Sequence, residues 1–221
     1  MKLFLFVFQF FLCFNIIAQN ISLTRTFDSS TYYINNSPTA NLILNLSNCP
    51  KENESQVLIA LSYFPDLKCK EIIFKKRKIN TTLNARPTIG SLIFSKRKNR
   101  TYVIRINSTT SDSVISLKNI PFNAEIGLFA HEFSHFLDYQ SRSVFGIIAR
   151  GISYSNKTSK AKFEKEIDLQ TIKKGLGWQL YDWSNYVQNE SNATGKYKQF
   201  KYNTYMTPLE ILKVIQPLTV Q

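Results

Sequence analysis

The chain has two histidines in its 221 residues, and they stand four apart: His131-Glu132-Phe133-Ser134-His135. Residues i and i+4 share one face of a helix, so both imidazoles can turn toward a single metal ion. In the pattern H-E-x-x-H the histidines bind zinc, and the glutamate is the general base that deprotonates a water. A catalytic zinc site uses three protein ligands and leaves a fourth position for water. No third histidine exists, so the third ligand must be a carboxylate or a less usual donor. A ligand set completed by glycine three residues and histidine six residues further on is excluded, because Asp138 and Ser141 stand there.

Carboxylates recur about thirty residues downstream, at Glu164, Glu166 and Asp168. The pattern predicts a helix over 159–174, ended by Gly175. At about 100° per residue, Glu164 and Asp168 share a face with Ala161, Thr171, Ile172 and Gly175, while Glu166 points the other way beside Lys162 and Lys173. Glu164 and Asp168 are therefore expected to face inward. A buried carboxylate needs compensation, and a zinc ion or a histidine N–H supplies it.

Together, His131-Glu132-x-x-His135 and Glu164-x-x-x-Asp168 resemble the gluzincin pattern of thermolysin-like peptidases and of the membrane-embedded CAAX-type peptidases. The resemblance covers roughly residues 122–178. It implies that Glu164 is the third zinc ligand beside His131 and His135. It further implies that Asp168 hydrogen-bonds His131 and orients it. Zinc so held would polarise a water, with Glu132 taking its proton and returning it to the leaving amine. The resemblance thus implies an exported zinc-dependent peptidase acting on peptide or protein. The second reading is a catalytically silent zinc-containing envelope protein that binds a partner or an anionic polymer. The chain departs from both branches. It has no run of membrane spans and no further histidine to stabilise the oxyanion. A tyrosine or arginine must do that work, and Tyr181, Tyr186 and Tyr205 are the candidates, Tyr205 foremost.

The elements that must position these groups follow from the rest of the chain. Lys2, an apolar run over 3–17 and Ala18 read as a signal peptide over 1–18, leaving 19–221 as a single domain. The run is shorter than the ~20 residues of a membrane span. Export leaves Cys49 and Cys69, whose spacing is compatible with a bridge or with two free thiols. The net charge is +13. Its clusters, Lys75-Lys76-Arg77-Lys78 and Lys96-Arg97-Lys98, each follow an apolar run and read as solvated strand ends or turns. Nucleic acid is not an expected partner; peripheral contact with an anionic envelope surface is a candidate one.

Strands are expected at 56–64, 71–74, 91–94, 102–106 and, shorter, at 114–117, with turn chemistry over 80–88. The segment 102–106 is the strand expected to take up an extended substrate. From Phe122 to Gln140 the period is helical. Ile126, Phe129, Ala130, Phe133, Phe136 and Leu137 form the apolar face, with His131 and His135 opposite, beside Ala124, Gly127 and Asp138. Residues 141–158 read as a substrate-shaping segment. A last helix is expected to start at Thr207-Pro208-Leu209-Glu210, a capping box. Strands first and helices afterwards argue an α+β, zincin-like fold: a mixed sheet in the N-terminal half, then the histidine helix and further helices.

Overall fold

The computed structural model describes residues 23–28, 46–109 and 114–219. The signal-peptide reading lies outside the described residues. Four strands, β1 (Leu46–Ser47), β2 (Ile72–Arg77), β3 (Leu83–Pro87) and β4 (Tyr102–Asn107), form one sheet in the order β1-β2-β4-β3. β1, β2 and β4 run parallel, and β3 pairs antiparallel with β4. Eight α-helices are described: α1 (Glu54–Ser62), α2 (Ile89–Phe94), α3 (Phe122–Ser141), α4 (Val144–Ser153), α5 (Lys157–Thr171), α6 (Gly177–Asn185), α7 (Gly195–Thr204) and α8 (Pro208–Thr219). The fold is mixed, with the sheet in the N-terminal half and α3 at its centre.

Several sequence expectations are corrected. Residues 56–64 are not a strand but most of α1, with Val57, Leu58, Ile59 and Ala60 wholly buried. A short, unbroken apolar run has no period that separates a buried strand from a buried helix. Here Glu54 in the first turn favours the helix N-terminus, and α1 supplies the crossover that parallel β1 and β2 require. Residues 91–94 are likewise helical, because Thr88 accepts a bond from the Ser91 N–H and caps α2. Residues 114–117 form no strand, only a lead-in to one turn at Leu117–Asn119. The turn-rich stretch 80–88 contains β3, with Pro87 at its end. A proline is tolerated there because β3 is an edge strand. It follows that 102–106 is an interior strand with both edges paired, and that the free edge beside the cleft belongs to β3.

The core lies between sheet and helices. Tyr102, Ile104 and Ile106 alternate toward α3, as strand geometry demands. Aromatic contacts then fix the helix: Phe136 on Tyr102 at 4.5 Å, Phe133 on Phe64 at 5.7 Å and Phe129 on Phe74 at 6.4 Å between ring centres. α3 is enclosed on every side; all residues from Ala124 to Phe136 are buried. Gly127 meets the α6 backbone so closely that a Cβ would lie 2.1 Å from the Gln179 carbonyl oxygen. The C-terminus of α3 is closed by Arg100, which is itself buried. Its guanidinium donates to the carbonyls of Tyr139 and Arg142, each at 2.8 Å. Cys49 and Cys69 are both free thiols.

Candidate metal centre

Three helices build the site. On α3, the four-residue spacing sets His131 and His135 one turn apart, with their Nε2 atoms 3.1 Å from each other. α5 starts where Asn156 caps it by accepting from the Ser159 N–H. That start puts Glu164 and Asp168 on its buried side. Glu166 lies on the other side and pairs with Arg150 at 3.2 Å. Glu164 Oε2 is 3.2 Å from His131 Nε2 and 3.3 Å from His135 Nε2. One level along, Ser134 and Thr171 join hydroxyls at 2.8 Å and fix the register of α3 against α5.

Asp168 does two things. Its Oδ1 lies 2.8 Å from His131 Nδ1, and its Oδ2 accepts the Met206 N–H at 2.8 Å. In the metal-binding form the proton on Nδ1 goes to Asp168, so that the Nε2 lone pair is free to meet an ion beside Glu164 and His135. The second bond seats the turn after α7, and with it Tyr205. The Tyr205 ring centre is 5.4 Å from that of His131, and the Lys201 ammonium lies 3.9 Å over the Tyr205 ring. Thr207 and Glu210 form the expected capping box, with the Thr207 N–H donating to Glu210 at 2.8 Å and the Glu210 N–H to Thr207 at 3.3 Å.

The donor set fits a metal ion. His131, His135 and Glu164, all buried, each offer one ligand atom to a common point. Their separations of 3.1, 3.2 and 3.3 Å are close to the ~3.3 Å edge of a tetrahedron with ligand bonds of about 2.0–2.1 Å. Three lone-pair atoms turned on one another in a dry site repel unless a cation sits among them. The two carboxylates call for positive charge at this point. Burial works against charging His131, yet its bonds to Asp168 and Glu164 raise its pKa to about 10, so a proton shared with Glu164 takes the place that a metal ion would fill by displacing it. Burial likewise opposes an ionised Glu164, but His135 and His131 hold it well below the usual carboxylate range.

Glu132 is on the same helix, buried, and its Oε2 has no partner among the described residues. Burial pushes its pKa up, with His135 and His131 pulling the other way. It opens on a cleft of about 650 Å³ that also exposes His135, Glu164 and Tyr205. The β3 edge and Ile89 form one wall; Ile147, Gly151 and Tyr154 form the other. Arg86, Arg105, Lys78 and Lys160 make the cleft cationic.

The site also contains residues that sequence reasoning passed over. Tyr154 donates its O–H to Glu164 Oε1 at 2.7 Å and so occupies the second oxygen of that carboxylate. Its burial and nearby Glu164 raise its pKa, which keeps the proton in place. Tyr154 follows directly after α4, in the stretch read as a substrate-shaping segment, and no motif spacing marks it. Of the three tyrosines proposed for the oxyanion, only Tyr205 reaches the site. Tyr186 donates to the Asn119 carbonyl at 2.6 Å, and Tyr181 packs edge-on against Trp178. Asp138 turns from the histidines to Arg142 and Arg150.

The chain matches no protein-family model, no curated protein and no solved structure.

Proposed function

We propose that the protein is an exported zinc-dependent peptidase of gluzincin type, with a zincin-like arrangement of a mixed sheet over the histidine helix. One observation carries the reading: His131, His135 and Glu164 converge on one point, and a buried, unpartnered Glu132 carboxylate oxygen stands beside them at the base of an open cleft. A purely structural zinc needs no such carboxylate and usually fills its fourth position with protein.

His131, His135 and Glu164 hold the ion, and Asp168 and Tyr154 orient two of those ligands. Bound zinc supplies a Lewis acid that acidifies water and polarises a carbonyl. Glu132 takes a proton from the attacking water and passes it to the leaving amine; its raised pKa brings it nearer the range where both transfers are efficient. Tyr205 stays protonated, since burial and the neighbouring Glu164 and Glu132 raise its pKa well above 10. Its O–H is the donor for the carbonyl oxygen as negative charge builds there. An extended substrate pairs with the free edge of β3, which leads along the cleft wall.

The test is metal analysis combined with cleavage of a denatured protein mixture. Wild type is expected to carry about one zinc and to cleave in a chelator-sensitive way. Glu132→Gln is expected to keep the zinc and lose about 10²–10⁴ of the rate. Equal cleavage by wild type and Glu132→Gln would sink the proposal.

A further inference from the structure

Six of the eight large hydrophobic side chains exposed among the described residues lie on two short helices. They are Ile89, Ile93 and Phe94 on α2, and Phe145, Ile148 and Ile152 on α4. Phe94 is 87% exposed and Phe145 83%. On α4 the spacing i, i+3, i+7 puts the three on one stripe, while Ile147 turns inward to the cleft. The turn after α2 is tied to the C-terminus of α3, which leads into α4. Arg97, just after α2, donates to the Ser141 carbonyl at 3.1 Å, and Arg100 donates to the carbonyls of Tyr139 and Arg142 at the end of α3. Ile89 borders the cleft from one side and Gly151 from the other. The exposed stripe on α4 points away from the face of that helix that lines the cleft, Ile147, Arg150, Gly151 and Tyr154.

Charge decides what this apolar surface meets. Lys96, Arg97 and Lys98 stand one residue beyond Phe94 and are exposed. Asp138 and Glu166 are paired with Arg142 and Arg150, and Glu71 accepts the Thr101 hydroxyl. A net charge of +13 makes a second copy of the chain a repelled partner. Exposed Phe and Ile beside Lys and Arg is the pattern of helices that lie in a lipid interface. We propose that α2 and α4 dock the protein onto an anionic lipid bilayer. The proposal is independent of the peptidase reading, because docking needs neither zinc nor turnover.

The test is sedimentation of the purified protein with vesicles of phosphatidylglycerol and phosphatidylcholine, and with vesicles of phosphatidylcholine alone. Hydrogen exchange is followed on the bound sample. Retention is expected on the anionic vesicles only and should fall at high salt. Protection should appear over 89–98 and 144–153. The double variant Phe94→Ser/Phe145→Ser should bind about tenfold more weakly or worse, as should Lys96→Gln/Lys98→Gln. Both pairs are solvent-exposed, so an unchanged thermal midpoint certifies the fold. Three outcomes overturn the proposal: no retention on anionic vesicles, protection confined to other parts of the chain, or a dimer in solution that the double Phe variant abolishes.

Discussion

The two halves of α3 each bury a glutamate, and they use it oppositely. Glu125, in the N-terminal half, is wedged against α1, and both its oxygens accept amide donors, from Asn53 and from Gln56. Glu132, seven residues on, is buried to a similar extent but keeps one oxygen without a donor. Burial raises the pKa of both. Burial alone therefore does not mark a reactive carboxylate. The difference lies in what the neighbouring element offers: α1 brings amides that occupy the group, and the cleft brings none. The packing follows the same division. The N-terminal half is clamped at Gly127 against the α6 backbone, while the C-terminal half adds polar contacts to α5 and a capping arginine to the ring contacts of Phe133 and Phe136.

The comparison breaks most forcefully at Gly127. Gly127→Ala places a methyl 2.1 Å from a backbone oxygen that cannot swing aside. The helices must separate, and the loss is expected at about 3 kcal/mol or more. Denaturant unfolding measures it. A variant as stable as wild type would show that this half is not clamped.

The next largest effect separates the two glutamates by pH. Burial, despite the amide bonds, pushes Glu125 from 4.5 up to about 7. The folded carboxyl then binds its proton more tightly than the unfolded one. Its contribution is fully present below about pH 4.5 and is lost as pH rises through about 7, on the order of 3 kcal/mol at most. Glu125→Gln removes the charged state and should flatten this slope. Thermal midpoints of wild type and variant, compared from pH 4.5 to 7.5, should diverge in the variant's favour as pH rises. Parallel curves would mean that the amides fully stabilise the carboxylate.

Much of the site was legible because helix periodicity is geometry. The spacing of His131 and His135, and of Glu164 and Asp168, is enough to place each pair on one face once a helix is granted. The capping box at Thr207 was legible for the same reason, being a local hydrogen-bond pattern. The sheet was less so. Residues 56–64 and 91–94 are short apolar runs, and their state is decided by what they pack against and by a cap at Thr88. Which strand is the edge is a matter of topology, and no residue within 102–106 announces that both its neighbours are filled. Tyr154 and Arg100 act through contacts that span the fold, and a single sequence carries no spacing rule for them.

The smallest effect tests the support of the C-terminal half. Asp168 holds His131 through Oδ1 and the turn carrying Tyr205 through Oδ2. Both partners are donors, and an aspartate accepts from both. Asp168→Asn keeps the size but replaces one oxygen with an amide that must face a donor. Either His131 loses its brace, or the Met206 N–H is left unmet. Zinc affinity, titrated against a competing chelator, is expected to fall about 10–100-fold, with only a minor change in the fold seen by circular dichroism. Glu125→Gln, on the other half of the same helix, should leave zinc affinity as it was. If Asp168→Asn held zinc as tightly as wild type, ligand geometry in the C-terminal half would be set by the helix backbone alone. The two halves of α3 would then differ in their carboxylates but not in what supports them.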